Sequence, residues 1–275
     1  MSTSQDVERH YTPDDLVATI QAGLERAGKD IGNLTLADLA PVDEFHVRGR
    51  DATRELAEKL NLTPALHVLD IGSGTGGASR FLAATYGCRV TGIDLTAAYC
   101  RAAATLGRWV KLDRLVEYRQ ANALDLPFPD ESFDAAWTQH VAMNIADKAR
   151  LYAEIHRVLK PGGVFGLYDV LQGAGGPVHF PVPWAREPSI SFLATPDELR
   201  RLLEQAGFRI ESWRDTTSQG CAWFQTVADR LRAGGLPPLG FHLLLGADFA
   251  TMAENMRRNL EEDRIALIEA VCRRP

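Results

Sequence analysis

The chain has 275 residues, with 30 Lys and Arg against 36 Asp and Glu, giving a formal net charge of −6 with neutral histidines. Hydrophobic residues make up 45% and charged residues 24%, which excludes an intrinsically disordered chain, since disorder needs low hydrophobicity and high net charge. The acidic balance argues against a nucleic-acid partner, because phosphate binding is driven by clustered Lys and Arg.

This length allows one large α/β domain or two small ones, and such a domain buries enough surface to need no staples. Cys88, Cys100, Cys221 and Cys272 are scattered, and no pair has metal-ligand spacing. No cluster of His, Cys, Asp and Glu has such spacing either, so no metal is expected. The opening Met1-Ser2-Thr3-Ser4-Gln5-Asp6 lacks a basic region followed by an apolar run, so no signal peptide is expected. No apolar run approaches the ~20 residues that span a bilayer. These features predict a cytoplasmic protein with no membrane insertion; they do not decide between a monomer and a homodimer.

In chain order, Thr12-Pro13-Asp14-Asp15 predicts a helix start, with an N-cap, a first-turn proline and acids near the positive helix end. Leu16, Ile20, Leu24 and Ala27 follow at helical spacing, and Gly28 suits the end. A second helix is predicted around residues 51–60. From residue 66 strands and helices alternate. Strands are predicted at 65–71, 88–94, 115–119, 133–138, 164–171 and 208–214. Helices are predicted to about Tyr86, over 97–110, around Leu151 to Leu159, and from the capping box Thr195-Pro196-Asp197-Glu198 to Gly207. Such alternation predicts a mostly parallel sheet covered on both faces. Residues 172–194, rich in Gly and Pro, read as a long loop. Residues 218–262 read as helical, broken at Gly234-Gly235-Leu236-Pro237-Pro238. The tail Ile265 to Cys272 suits either a helix or a strand.

The strongest local signal is Asp70-Ile71-Gly72-Ser73-Gly74-Thr75-Gly76-Gly77, between a predicted strand and helix. Glycines there permit a tight turn and let a ligand approach the helix N-terminus. Gly72, Gly74 and Gly77 also fit a dinucleotide G-x-G-x-x-G, and a purely structural turn is possible, so the glycines alone do not decide. Asp70 suits a cationic ligand group such as an ammonium and would repel a pyrophosphate. Asp94, at the end of the second strand, is placed to hold two ribose hydroxyls, as in any nucleoside site.

Further blocks follow in order: Asn122-Ala123-Leu124-Asp125-Leu126-Pro127-Phe128, Ser132-Phe133-Asp134, Glu154 to Arg157, and Val158-Leu159-Lys160-Pro161-Gly162-Gly163. With the Asp70 glycine motif, they resemble the class I S-adenosylmethionine-dependent methyltransferases. The small-molecule group of ubiquinone/menaquinone, sterol and sarcosine/dimethylglycine methyltransferases is the most similar. The resemblance covers roughly residues 45 to 215. It implies a doubly wound, seven-stranded, mostly parallel α/β sheet. Residues 1–60 would form an N-terminal helical lid and 61–216 the cofactor-binding core. Residues 217–263 would be a helical insertion and 264–275 the last strand, antiparallel between strands five and six.

The same resemblance implies roles residue by residue. Gly72, Ser73 and Gly74 would pass the methionine part of S-adenosylmethionine, with Asp70 near its ammonium. Asp94 would hold the ribose, Leu95 would lie against the adenine, and Asn122 and Ala123 would meet the adenine edge. Many relatives carry Asp where this chain has Asn122. Gln139 and His140 would face the sulfonium and the acceptor. The segment 45–53 resembles the family's lid, with His46 and Gly49 as cofactor contacts, although only one of a common pair of glycines is present. His140 is the candidate base, since it lies just beyond a strand end, where open sheets place ligands. Asn144 is the second catalytic candidate, at a position where related phosphobase enzymes carry histidine. Its identity here argues against their mechanism. Trp184 and Tyr168 are the candidate acceptor contacts, Trp184 alternatively stapling its loop. His67 and His156 read as a core and a surface histidine. The expected function is methylation of a small molecule. The alternatives are an NAD- or nucleotide-sugar-dependent oxidoreductase, and a cofactor-binding pseudoenzyme with a regulatory role.

Overall fold

Val68 to Ile71 are all buried in β1 (His67–Ile71), as in a strand covered on both faces, with Asp70 the one polar residue among them. The computed structural model describes residues 6–7 and 15–275. The other strands are β2 (Arg89–Asp94), β3 (Val116–Gln120), β4 (Phe133–Gln139), β5 (Leu159–Gln172), β6 (Arg209–Asp215) and β7 (Ile265–Arg273). They form a seven-stranded sheet in the order β3-β2-β1-β4-β5-β7-β6. The pairs from β3 through β5 are parallel, whereas β7 runs antiparallel to both β5 and β6. The sheet is the doubly wound α/β arrangement expected.

The tail is thus a strand, slotted between β5 and β6. Eight of its nine residues are buried. A strand covered on both faces shows no alternation, which is why its spacing also suited a helix. Strand β5 begins earlier than the expected Val164. Its pairing with β4 jumps from Phe133↔Leu159 to Ala135↔Val164, so Lys160-Pro161-Gly162-Gly163 bulges out of register.

Helices α4 (Gly77–Tyr86), α5 (Ala97–Trp109), α6 (Lys148–Val158) and α7 (Pro196–Gln205) alternate with the strands. Val68, Val90 and Leu82 belong to one apolar layer, and Leu69, Ile93, Leu151 and Leu199 to the other. The first helix, α1 (Leu16–Arg26), is capped by Asp15, whose carboxylate accepts from Ala18 N at 3.0 Å. The expected cap at Thr12 to Asp14 lies outside the described residues. Helix α2 (Leu36–Asp43) was not expected, although Thr35 and Asp38 form a capping box, Thr35 N donating to Asp38 at 2.8 Å. The next helix, α3 (Arg50–Ala57), is shorter than expected. Ile20 and Leu24 of α1, with Leu39 and Val42 of α2, share a third apolar cluster with Leu106 of α5, and this ties the N-terminal helices to the core.

The late segment has three helices, α8 (Thr217–Gly234), α9 (His242–Leu245) and α10 (Phe249–Glu261), with a second break at Gly246. No described helix is long and apolar enough to cross a membrane.

Candidate active site

Strands β1, β2 and β4 end at one cavity of about 550 Å³, within the usual range for sites that enclose a small organic ligand. After β1 the chain turns sharply. The Gly72 and Ser73 N–H groups both donate to Ile93 O of β2, at 2.8 and 2.9 Å. The turn needs φ of +72° at Gly72 and +52° at Gly74, a region that favours glycine. A Cβ on Gly72 would stand 2.5 Å from a Val141 methyl, whereas a Cβ on Gly74 would meet nothing within 4 Å. Gly74 therefore borders open space on the cleft side. Ser73 Oγ is buried in the turn without a hydrogen-bond partner.

Three acids surround this turn. Asp70, 2% exposed, accepts from Ser79 Oγ at 2.5 Å. Burial is the main cause that lifts its carboxyl to about 7, with the Asp94 charge adding to it. Asp94 accepts from Thr96 N at 2.8 Å and Gly74 N at 3.0 Å, one bond per carboxylate oxygen. Burial raises its pKa as well. Asp43 ends α2 and pairs with the fully buried Arg80 of α4. Arg80 also donates to Thr75 O at 2.7 Å and Ala103 O at 3.3 Å. Burial outweighs the Arg80 guanidinium and lifts Asp43 to about 6, and its second oxygen has no partner.

Across the cleft lie two histidines. His140 follows β4 with φ of +53°, uncommon for a non-glycine residue and often found at functional positions. Its backbone N–H donates to Tyr168 O at 2.8 Å, which fixes the bend. Its Nε2 is buried and unpartnered. Burial, reinforced by the neighbouring His46, pushes its pKa well below 6.5, so the ring is neutral. The His46 ring lies edge-on at 5.9 Å between centroids. His46 Nε2 is 3.0 Å from Gly49 O, 3.1 Å from Thr53 Oγ1 and 3.2 Å from Gln139 Nε2. Gln139 Oε1 accepts from Trp137 Nε1 at 3.1 Å and lies 3.1 Å from Thr53 Oγ1. Buried Glu44 accepts from Thr53 Oγ1 at 2.7 Å and from Arg50 Nε.

The roof is built from distant segments. Both amide hydrogens of Asn144 are spent, on Trp184 O at 2.8 Å and Ile190 O at 2.9 Å. Trp184, 1% exposed, donates from its indole to Ser191 Oγ at 2.9 Å and lines the cleft. The staple and the wall are the same residue. The loop is tied to α10: His179 N donates to Asn259 Oδ1 at 2.8 Å, Asn259 Nδ2 donates to His179 O at 3.0 Å, and Asn255 Nδ2 donates to Pro181 O at 2.9 Å. Arg186 pairs with Asp248. Phe45 meets Phe241 at 5.1 Å, joining the N-terminal segment to the late helices.

The structure brings Asp70, Gly72, Ser73, Gly74, Asp94, Leu95, Asn122, Ala123, Gln139, His140, Asn144, Trp184 and His46 to this one cavity. Two expected residues do not line it. Tyr168 is buried, packed against the His140 and His46 rings at 5.0 and 6.1 Å between centroids. Gly49 caps α3, and its carbonyl meets the His46 ring. Asn144 has no amide hydrogen left to donate to an acceptor. Asn122 Oδ1 already accepts from Leu124 N at 2.9 Å. His67 Nε2 lies 2.9 Å from Thr91 Oγ1, a satisfied strand residue, and His156 packs edge-on to Phe208. Sequence reasoning missed Asp43, Glu44 and Arg80. Among the described residues no group of three His, Cys, Asp or Glu is arranged to hold a metal ion.

The family described as "Methyltransferase domain" matches residues 69–167. The O-methyltransferase resE of Aspergillus sclerotiorum is 34% identical over 220 residues, which are 78% of this chain and 79% of that protein. The chain belongs to the S-adenosylmethionine-dependent methyltransferases. The glycine/sarcosine/dimethylglycine N-methyltransferase of Actinopolyspora halophila is 29% identical over 175 residues, 64% of this chain. The chain spans only 31% of that relative's length. Among solved structures, that of the [4+2]-cyclase SpnF has a TM-score of 0.73 and 26% identity, covering 100% of this chain and 97% of that one.

The methyltransferase cofactor fits the residues present. Asp70 is a buried acid whose side-chain partner is the uncharged Ser79 hydroxyl, which suits an ammonium. Asp94 keeps a lone pair on each oxygen for two ribose hydroxyls. Ser73 Oγ has no partner, and the space beside Gly74 is open.

Proposed function

We propose that this methyltransferase transfers the methyl group of S-adenosylmethionine to a small-molecule acceptor. The observation that carries the proposal is the convergence of the acidic glycine turn and His140, whose Nε2 is buried and unpartnered, on one roofed cavity. When bound, the cofactor supplies an electrophilic methyl on a cationic sulfur, with a neutral thioether as leaving group. Little chemistry then remains for the protein, which must align the reactants and exclude water. Asp70 would hold the ammonium and Asp94 the ribose hydroxyls. Leu95, Asn122 and Ala123 would border the adenine. His46 and Gln139, locked by Thr53 and Glu44, would stand beside the sulfur, Gly49 orienting His46. His140 would take a proton from the acceptor, and Asn144 would hold the Trp184 loop in place. Residues 1–60 and 217–263 would serve as lid and cap over a core of 61–216 and 264–275. Free thiols at Cys88, Cys100, Cys221 and Cys272 support a reducing, cytoplasmic setting.

Calorimetry with S-adenosylhomocysteine and with NAD tests the cofactor site. Binding of the first and not the second is expected. Asp94→Ala should weaken it by roughly 1–3 kcal/mol, having lost a charged acceptor from two hydroxyls. A labelled-cofactor assay over a metabolite panel tests transfer. One structural relative is named a cyclase, and this favours a second reading, a cofactor-binding protein that transfers no methyl. Tight binding with no product from any acceptor would select it.

A further inference from the structure

The acceptor half of the cavity has a composition that the mechanism above does not use. Its walls are Trp184, Trp223, Phe224, Phe241, Phe249 and Met256, supplied by the loop after β5 and the late helical segment. Among the described residues that line the cavity there is no Lys or Arg. Its charged lining groups are acids, with Asp43, Asp70 and Asp94 gathered at the glycine turn, and burial keeps its two histidines neutral. A second cavity of about 360 Å³ shares Phe224, Val227, Phe249 and Ala253 with the first and continues between α8 and α10. The cations on its rim are already committed: Arg232 to Asp229, and Arg257 to Glu254 and Glu261.

We infer that the acceptor is an uncharged, largely apolar ring molecule that fills this aromatic half and presents one hydroxyl to His140 Nε2. The inference rests on the methyltransferase reading above. An anionic acceptor, such as an amino-acid carboxylate or a phosphobase, would enter a low-dielectric half whose lining offers no Lys or Arg to pair with it. A free amine needs no base at the moment of attack. A hydroxyl does, because oxygen becomes a strong nucleophile only as its proton leaves. A neutral, buried imidazole nitrogen with no partner suits that one proton. In the step, the acceptor oxygen forms its bond to the methyl carbon as the carbon–sulfur bond breaks. The electron pair of the broken bond stays on sulfur, and the hydroxyl proton goes to His140 Nε2. Flat aromatic walls favour a flat partner, since offset ring contacts add to area burial.

The test uses the full chain saturated with S-adenosylhomocysteine, with tryptophan quenching and calorimetry as readouts. The probes are naphthol and hydroxynaphthoate, which differ by one carboxylate, together with sarcosine and phosphoethanolamine. Naphthol is expected to bind at least tenfold tighter than hydroxynaphthoate, and the two small polar acceptors not to bind. Val227→Arg, which places a cation on the half-buried inner face of α8, is expected to reverse the naphthol preference. With S-adenosylmethionine, His140→Gln should keep naphthol binding within about threefold and lose the methyl ether. Hydroxynaphthoate binding as tightly as naphthol to the unmodified chain, or sarcosine or phosphoethanolamine binding while naphthol does not, would overturn the inference. Failure to bind S-adenosylhomocysteine at all would overturn the cofactor reading. Binding of it with no binding of naphthol overturns the acceptor inference alone.

Discussion

Asp70→Asn separates what the buried acid costs the fold from what it gives the site. In the ligand-free protein burial raises the Asp70 carboxyl from its ordinary 3.8 to about 7. A carboxyl with a raised folded pKa stabilises the fold fully below its unfolded pKa. That contribution is lost as pH rises through the folded value. At 1.36 kcal/mol per pH unit, the interval amounts to about 4 kcal/mol at most by pH 8. Asparagine keeps the shape and can still accept from Ser79 Oγ, so most of that cost should vanish. Urea unfolding at pH 8 should therefore show the ligand-free variant more stable than the parent, by about 1–4 kcal/mol. Near pH 4 the two should converge, because Asp70 is then neutral. Binding should change the opposite way. An ammonium that loses a charged acceptor loses roughly 1.5–3 kcal/mol, so S-adenosylhomocysteine should bind about 10- to 100-fold more weakly. A variant less stable than the parent at pH 8, or one with unchanged affinity, would refute this reasoning.

Gly74→Ala forces a side chain into φ of +52° with space around it, so it should cost only about 1–2 kcal/mol of stability while weakening S-adenosylhomocysteine in calorimetry. Gly72→Ala adds a 2.5 Å clash with Val141 and should lower the melting temperature further; equal destabilisation of the two would contradict the geometry. Arg80→Leu leaves Asp43 buried without its cation and should cost roughly 3–5 kcal/mol in urea unfolding, a loss under about 1 kcal/mol counting against the pair. With His140 as the proposed base, methyl transfer should stay level as pH falls through 6.5, dropping only at the lower pKa that burial imposes; a midpoint at or above 6.5 would count against that role. The same depression makes the His140 contribution to stability complete above its unfolded pKa and lost as pH falls below it.

Much of the core was legible because its signals are local. Buried strands are mostly apolar runs, and Asp70 to Gly77 carries a buried acid, a turn and a helix start within one short stretch. The failures are long-range or many-valued. Arg80 meets Asp43 across 37 positions, and nothing near either residue announces the pair. Helix α2 went unseen although Thr35 and Asp38 cap it, because Pro41 inside it argues against a helix. Tyr168 shares a sheet face with its partner Gln139 but packs against the His46 and His140 rings, contacts that local spacing does not announce. Trp223, Phe224 and Phe249 line the cavity, and nothing local marks them, since aromatics at helical spacing serve a core and a cavity wall equally well.

The arrangement of acids also ties ligand uptake to protons. With Asp70 lifted to about 7 and Asp43 to about 6, the ligand-free cleft holds protons that an exposed carboxylate would have lost. The cause is burial without a sufficient cation, so a ligand that brings a cation must lower these values. An ammonium settling beside Asp70 fixes the ionised form and expels its proton. Binding of S-adenosylhomocysteine below pH 7 should therefore release up to about one proton from Asp70, and affinity should rise up to about tenfold per pH unit until pH 7, then level off. Calorimetry in two buffers of different ionisation enthalpy measures this directly. The apparent binding enthalpies should differ at pH 6 and converge above pH 8. Asp70→Asn should abolish most of the difference while Asn144→Ala leaves it intact, because the Asn144 amide, which holds the Trp184 loop, does not titrate. Identical enthalpies in both buffers at pH 6 would mean that Asp70 is ionised before the ligand arrives, and the argument from uncompensated burial would fall.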